Sequence, residues 1–183
     1  MPNMVNSDQV SDLKELTKPV THSSSLANEP SLKLAQGIVC GKLSLAFTFD
    51  WARLIVDSYE LVPLPRAPGW VLGAVNINGA IIPVVDLENY FFDYAQPAQA
   101  ERGQRLLVGG VNAEDSEAAY AVVFSQTPVQ LEYATAGIDI REALPARLLD
   151  VCRGLATDDR GKKYLEIDPE QLVEAMSIEL AVI

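Results

Sequence analysis

The chain is poor in the residues that carry most side-chain chemistry. Among 183 residues there is one histidine, His22, and there are two cysteines, Cys40 and Cys152. A zinc site takes about four thiolate, imidazole or carboxylate ligands. Two thiols far apart, without Cys-x-x-Cys spacing or a neighbouring histidine, do not supply one. Each cysteine lies in an apolar stretch, Ile38–Cys40 or Leu148–Cys152, so both read as buried, reduced thiols; a disulfide between them has no support. His22 lies in a Ser-rich N-terminal stretch, away from any rigid scaffold, which argues against a Ser-His-Asp or Cys-His nucleophile. No P-loop is present, and no Gly-x-Gly-x-x-Gly follows a strand to cradle a pyrophosphate. Gly109-Gly110 sits inside an apolar run without a following helix and marks a bulge or close packing instead.

Positive charge is also scarce. Lys and Arg number 14 against 25 Asp and Glu, a formal charge of −11. Nucleic-acid binding needs clustered cations to displace counterions, and the densest basic stretch, Arg160–Lys163, lies among acidic residues. Anionic membrane surfaces are disfavoured for the same reason. Long apolar runs are missing too: Ile81–Val85 and Leu106–Val111 are far too short to cross a bilayer, and Met1–Val10 has neither the basic start nor the apolar core of a signal peptide. A cytoplasmic protein without direct membrane insertion is expected. The carboxylates cluster at Glu114-Asp115-Ser116-Glu117 and Asp158-Asp159, in expected turn tips where they stay solvated. The first cluster lacks the spaced pattern of a calcium loop. No metal, cofactor or catalytic residue is expected, and the chain is read as a non-enzyme.

What is present is apolar patterning. Hydrophobic residues make up 49% of the chain, ordinary for a packed domain. Residues 1–31 are polar and Ser-rich, with Pro19 and Pro30, and are read as a flexible tail; Val10, Leu13 and Leu16 would give a short helix there only one apolar edge. Residues 32–183 are read as the folded domain. Leu43–Phe49 places large apolar side chains at every second position, the period of a half-buried strand, and Ala52–Val56 reads as a returning strand. Trp70–Val75 and Ala80–Val85 flank Asn76-Ile77-Asn78-Gly79, a hairpin with turn chemistry at its tip. Pro83 cannot donate to a ladder and predicts an edge or bulge. Gln104–Val111 and Ala118–Phe124 form a second hairpin around the acidic loop 112–117. Leu144–Arg153 reads as a short helix or an extended connection, with Pro145 in its first turn.

One stretch is echoed later in the chain. Gly73 to Tyr90 runs glycine, strand, turn closed by glycine, strand, aspartate and helix-forming residues; Gly154 to Leu172 repeats that order. Asp86 and Asp168 read as N-caps that accept orphan amide protons, the second strengthened by Pro169 and Gln171. Two related halves suggest two small barrels packed together. Trp51, Trp70, Tyr59, Phe91 and Phe92 are large enough to anchor either a core or an interface. The proline-punctuated segment Leu61–Pro68 must lie at the surface, as a binding rim or a plain loop.

The segment Leu64-Pro65-Arg66-Ala67-Pro68-Gly69-Trp70-Val71-Leu72-Gly73-Ala74-Val75-Asn76-Ile77-Asn78-Gly79-Ala80-Ile81-Ile82-Pro83-Val84-Val85-Asp86-Leu87 closely resembles the signature of CheW-like domains. That signature has a Pro-x-x-Pro approach, an aromatic and a glycine, Asn-Leu-Arg-Gly, and an apolar Pro-Val-x-Asp-Leu ending. A weaker match extends from about Gln36 to Met176. The resemblance implies an all-β fold with a few short helices, made of two intertwined SH3-like five-stranded barrels. It implies an adaptor that couples methyl-accepting chemoreceptors, or another CheW-like protein, to the regulatory domain of a CheA-type histidine kinase in chemotaxis. On the same ground, partner contacts are assigned to Ser58, Glu60, Trp70, Gly73, Asn76, Asn78, Gly79 and Pro83. Two departures stand out. Asn78 replaces the family's arginine, whose partner there is the glutamate matched by Glu60, and the loop after Leu61 is short. They leave open a second reading, a divergent scaffold serving type IV pilus motility or polar positioning.

Overall fold

A computed structural model describes residues 32–110, 119–138 and 144–181. The N-terminal stretch, with His22 and the Val10, Leu13, Leu16 edge, and the acidic loop 112–117 lie outside the described residues.

The chain is mainly β, with nine strands and three helices among the described residues. Strands β1 (Lys33–Cys40) and β2 (Leu43–Thr48) form an antiparallel hairpin, and β3 (Ala52–Val56) leaves it through a tight turn closed by the Trp51 amide on the Thr48 carbonyl at 3.1 Å. Strands β4 (Val71–Ile77) and β5 (Ala80–Val85) form the next hairpin, followed by helix α1 (Leu87–Phe92). After β6 (Arg105–Gly109) comes β7 (Tyr120–Tyr133), then helix α2 (Ala146–Val151), β8 (Cys152–Thr157), β9 (Lys163–Ile167) and helix α3 (Pro169–Ala181). The segment with two readings, 144–153, is thus a helix that passes directly into a strand. Pro145 sits just ahead of α2, where its missing N–H costs nothing.

Pairing divides these strands into two five-stranded barrels that share β7. The first runs β3-β6-β7-β5-β4; the second runs β7-β1-β2-β9-β8. Each is closed by one bridge. In the first, Val62 and Ala74 exchange two backbone hydrogen bonds of 2.8 Å; in the second, Ala136 and Leu155 exchange bonds of 3.0 and 2.9 Å. The internal repeat is therefore a repeat of structure. Hairpin β4–β5 corresponds to β8–β9, with a bulge between Val71 and Gly73 and between Cys152 and Gly154. The parallel pair β5·β7 corresponds to β9·β2. The barrels intertwine because the chain crosses between them at β2–β3 and again within β7.

Three apolar clusters follow from the period of two. On β7, Ala121 and Val123 point into the first barrel with Val75, Ile82, Val84, Leu106 and Val108. Tyr120, Val122 and Phe124 point the other way, into a larger cluster shared by both barrels with Leu45, Phe47, Trp51, Tyr90, Leu172 and Met176. In the strand read as half-buried, Leu43–Phe49, one face is buried at Leu43, Leu45 and Phe47, and the other is buried only at Ala46, between partly buried Ser44 and Thr48. Leu45 and Phe47 enter the shared core, while small Ala46 faces the second barrel with Ala35, Leu131 and Tyr164. Fully burying side chains the size of Leu45 or Phe47 contributes about 1.5–3 kcal/mol each. Gly109 is a close-packing position: the Trp51 indole occupies the space where a Cβ would stand.

One carboxylate lies inside this framework. Glu166 on β9 is fully buried, with Oε1 accepting from Lys33 Nζ at 2.7 Å and Oε2 from Thr135 Oγ1 at 2.7 Å. Lys33 opens β1 and Thr135 follows β7, so the buried charge ties together three segments of the second barrel. Cys40 is a free thiol, and Cys152 Sγ donates to the Gly154 carbonyl at 3.4 Å. Cys40 is buried, and burial followed by the negative charge of Asp86 and Glu88 pushes its thiol pKa far up; Cys152 is only partly buried.

Candidate functional site

The signature segment builds hairpin β4–β5 and both surfaces beside it. At its tip the turn is Asn78-Gly79, with Ile77 paired to Ala80. Asn78 has φ 51° and Gly79 φ 91°, the two left-handed residues of a type I′ turn. Asparagine tolerates this region better than most side chains and glycine without penalty. The Asn76 side chain secures the turn, its Oδ1 accepting from the Gly79 amide at 2.8 Å. Exchanging arginine for asparagine at 78 thus gives up a guanidinium and gains a residue suited to the backbone.

Beside the hairpin, on the first barrel, lies a notch of about 250 Å³ lined by Val56, Ser58, Tyr59, Glu60, Val62, Val75, Asn76 and Ile77. It brings Ser58, Glu60 and Asn76 together. Glu60 is exposed and makes no ion pair among the described residues. The backbone carbonyl of Val62 turns inward here to close the barrel over Gly73.

Gly73 itself is buried. At φ 150°, a Cβ on it would stand 2.5 Å from the Val62 carbonyl oxygen. It permits the closing bridge and presents no side chain to a partner.

Trp70 and Pro83 belong to a different surface. With Leu64, Ala67, Val71, Val85, Ala119 and Tyr120 they form one wall of an apolar groove of about 160 Å³. The opposite wall is α3, through Val173, Met176, Ser177 and Leu180, spaced i, i+3, i+4 and i+7 along one helical face. Pro83 is tolerated because β5 pairs with β7 only from Val84 onward, leaving its outer edge free up to that point. Trp70 is buried edge-on against Tyr90, with ring centroids 5.0 Å apart. It supports the groove wall from within.

Helix α3 is held in place at both ends. At its start Asp168 accepts from the amides of Glu170 and Gln171 at 3.1 and 3.2 Å, and its other oxygen lies 2.7 Å from Arg153 Nη2. Nearer its end, Glu179 pairs with Arg147 at 3.1 Å, and the same guanidinium lies over the Tyr90 ring of α1 and donates to its carbonyl at 3.0 Å. Asp86 caps α1 by accepting from the Asn89 amide at 3.0 Å. Its carboxyl pKa is raised, chiefly by burial, with Glu88 and Glu101 adding to the rise and the helix amides opposing it. The Tyr120 hydroxyl stays neutral: burial, then the Asp168 charge, pushes its pKa well up.

The α3 wall is the part that the sequence did not reveal. Its face spacing was visible, but spacing alone does not distinguish a helix packed on its own barrel from one that also borders another. Among the described residues, no three His, Cys, Asp or Glu side chains are grouped to hold a metal ion. No helix among them is long and apolar enough to cross a membrane.

Residues 37–176 match the family described as the CheW-like domain, more than half of the chain and spanning both barrels. The chain belongs to the CheW-like domain family. Over 44 residues it is 36% identical to the chemotaxis protein CheW of Thermotoga maritima, covering 24% of this chain and 29% of that relative. The chain therefore spans less than a third of the curated relative it matches. The fold resembles that of the scaffolding protein TtCheW from Thermoanaerobacter tengcongensis, with a TM-score of 0.51 and 16% sequence identity over 75% of this chain and 89% of that one. That likeness concerns the fold. The two barrels sharing β7 are the CheW-like architecture that the signature implied.

Proposed function

We propose that this CheW-like chain is a non-catalytic cytoplasmic adaptor in chemotaxis, linking the regulatory domain of a CheA-type histidine kinase to methyl-accepting chemoreceptors without a cofactor. The observation that carries this reading is the groove between hairpin β4–β5 and α3. It is apolar, lies between the first barrel and the helix that follows the second, and its β wall is made largely by the segment most like the family signature. Such a cleft suits apolar side chains from a partner helix, and a receptor's helical tip is the occupant we assign to it. The notch of Ser58, Glu60 and Asn76, with the Asn78-Gly79 tip beside it, is assigned to the kinase. Trp70 and Pro83 shape the groove, and Gly73 acts through barrel closure. The names of the two relatives, a chemotaxis protein and a scaffolding protein, support an adaptor role.

Reconstitution tests the reading. Receptor-bearing membranes are sedimented with the kinase in the presence or absence of the full chain, and Leu180→Glu serves as the groove variant. Leu180 is 44% exposed, so the change places a charge in the groove without opening the core. Kinase should reach the pellet only with the native chain, and Leu180→Glu should still bind kinase but fail to recruit it. Recruitment by Leu180→Glu at native levels would remove the groove from the account.

A further inference from the structure

The dipeptide Asn78-Gly79 occurs once in the chain, and the fold places it at an exposed hairpin tip. An asparagine followed by glycine is chemically labile because the glycine amide is unhindered. Gly79 stands in open space: apart from its chain neighbours Asn78 and Ala80, no residue places a heavy atom within 4 Å of the position a Cβ would take. In the reaction the Gly79 nitrogen attacks Asn78 Cγ and a nitrogen–carbon bond forms. The bond from Cγ to the side-chain nitrogen breaks, and ammonia leaves carrying the former Gly79 amide proton. Water then opens the cyclic imide at either carbonyl, giving aspartate or isoaspartate. No electrons are exchanged, and water is the only co-reactant.

One feature opposes this chemistry. The proton that must leave is held, because the Gly79 N–H donates to Asn76 Oδ1 at 2.8 Å. That bond stabilises the protonated amide and directs it toward residue 76. We propose that Asn78 is a site of spontaneous deamidation and that the Asn76 side chain sets its rate by holding the Gly79 amide proton. The product matters to the hairpin. Isoaspartate adds a methylene to the main chain of a two-residue turn whose length fixes the β4–β5 register. Either product also places a negative charge where the family carries arginine. The chemistry is independent of the adaptor reading.

The test follows residue 78 in the full-length chain by peptide mass spectrometry and isoaspartyl methyltransferase labelling, at neutral and mildly alkaline pH. Native protein should accumulate acid at 78, isoaspartate in excess, at a rate rising with hydroxide concentration. Asn76→Ala should convert several-fold faster, while Asn76→Asp, which keeps an acceptor oxygen, should stay near the native rate. Circular dichroism must show all three folded; acceleration accompanied by unfolding would overturn the role of Asn76. Equal rates in native and Asn76→Ala protein, or Asn76→Asp as fast as the alanine variant, would overturn it too. Absence of acid at 78 in every folded protein, under conditions that convert a free peptide of the same sequence, would overturn the site itself.

Discussion

Adding one methyl group at Gly73 or Gly154 probes the closure of each barrel. At Gly154 the new Cβ would stand 2.4 Å from Thr135 Cγ2 and 2.7 Å from the Ala136 carbonyl oxygen. Overpacking of this kind costs about 1–3 kcal/mol. At Gly73 the clash is with the backbone oxygen of Val62 at 2.5 Å, and the φ of 150° adds strain for any residue with a Cβ. A sparsely populated backbone conformation costs a further ~1–3 kcal/mol. Gly154→Ala should therefore lose roughly 1–3 kcal/mol and Gly73→Ala roughly 2–5 kcal/mol. Against a typical stability of about 5–15 kcal/mol, the second variant approaches the limit of folding. Urea unfolding followed by tryptophan fluorescence reads both, and with a slope of about 1–3 kcal/mol per molar the midpoints should separate clearly. A Gly73→Ala loss below about 0.5 kcal/mol, the ordinary range of surface substitutions, would refute the closure argument. A smaller loss at Gly73 than at Gly154 would refute the strain component.

Three other perturbations separate the roles of named side chains. Asp168→Ala removes the α3 cap and the Arg153 pair together and should cost about 2–3 kcal/mol, whereas Asp168→Asn keeps an acceptor for the helix amides and should cost about 1 kcal/mol by thermal unfolding. The folded pKa of Asp86 is raised, so its contribution is lost as pH rises from the ordinary aspartate value of 3.8 through the folded one. Asp86→Asn, which preserves the cap without the charge, should have a higher Tm at neutral pH, with the gap closing below that window; a constant gap at all pH values would contradict this. Asn78→Arg should destabilise the chain by about 1–2 kcal/mol in urea, since it forces a long side chain into the left-handed region.

Much of this fold was legible because local rules and tertiary structure agree. The alternation in Leu43–Phe49, the Asn78-Gly79 turn and the aspartates ahead of α1 and α3 each follow from nearby residues alone. The repeat from Gly73 to Tyr90 and from Gly154 to Leu172 gave the two-barrel organisation. Strand β7 was read too short, ending at Phe124, because Ser125-Gln126-Thr127-Pro128 has the composition of a turn. The strand survives them through a bulge. Val39 pairs with Ser125 and Gly37 with Val129, so Gln126–Pro128 stand out of register and Pro128 is spared a ladder bond. Gln126 takes φ 66°, and Arg105 stacks on Phe124 and donates to the Gln126 carbonyl. This is where the chain crosses between barrels. Strand β1 was not assigned either, since Gln36 and Gly37 interrupt its apolar pattern. Glu166 in an apolar strand was a visible anomaly, but its partners, Lys33 and Thr135, are far away in sequence. The α3 wall of the groove was missed for the same reason: sequence gives a helix its face, not what stands opposite.

We propose that this CheW-like chain binds a CheA-type kinase despite Asn78. That proposal is tested by isothermal titration of the full-length chain into the regulatory domain of a CheA-type kinase, with Asn78→Arg measured in parallel. The account predicts saturable binding by the native chain at micromolar affinity or tighter, with Asn78→Arg comparable. Binding by Asn78→Arg alone, or by neither protein, would contradict it.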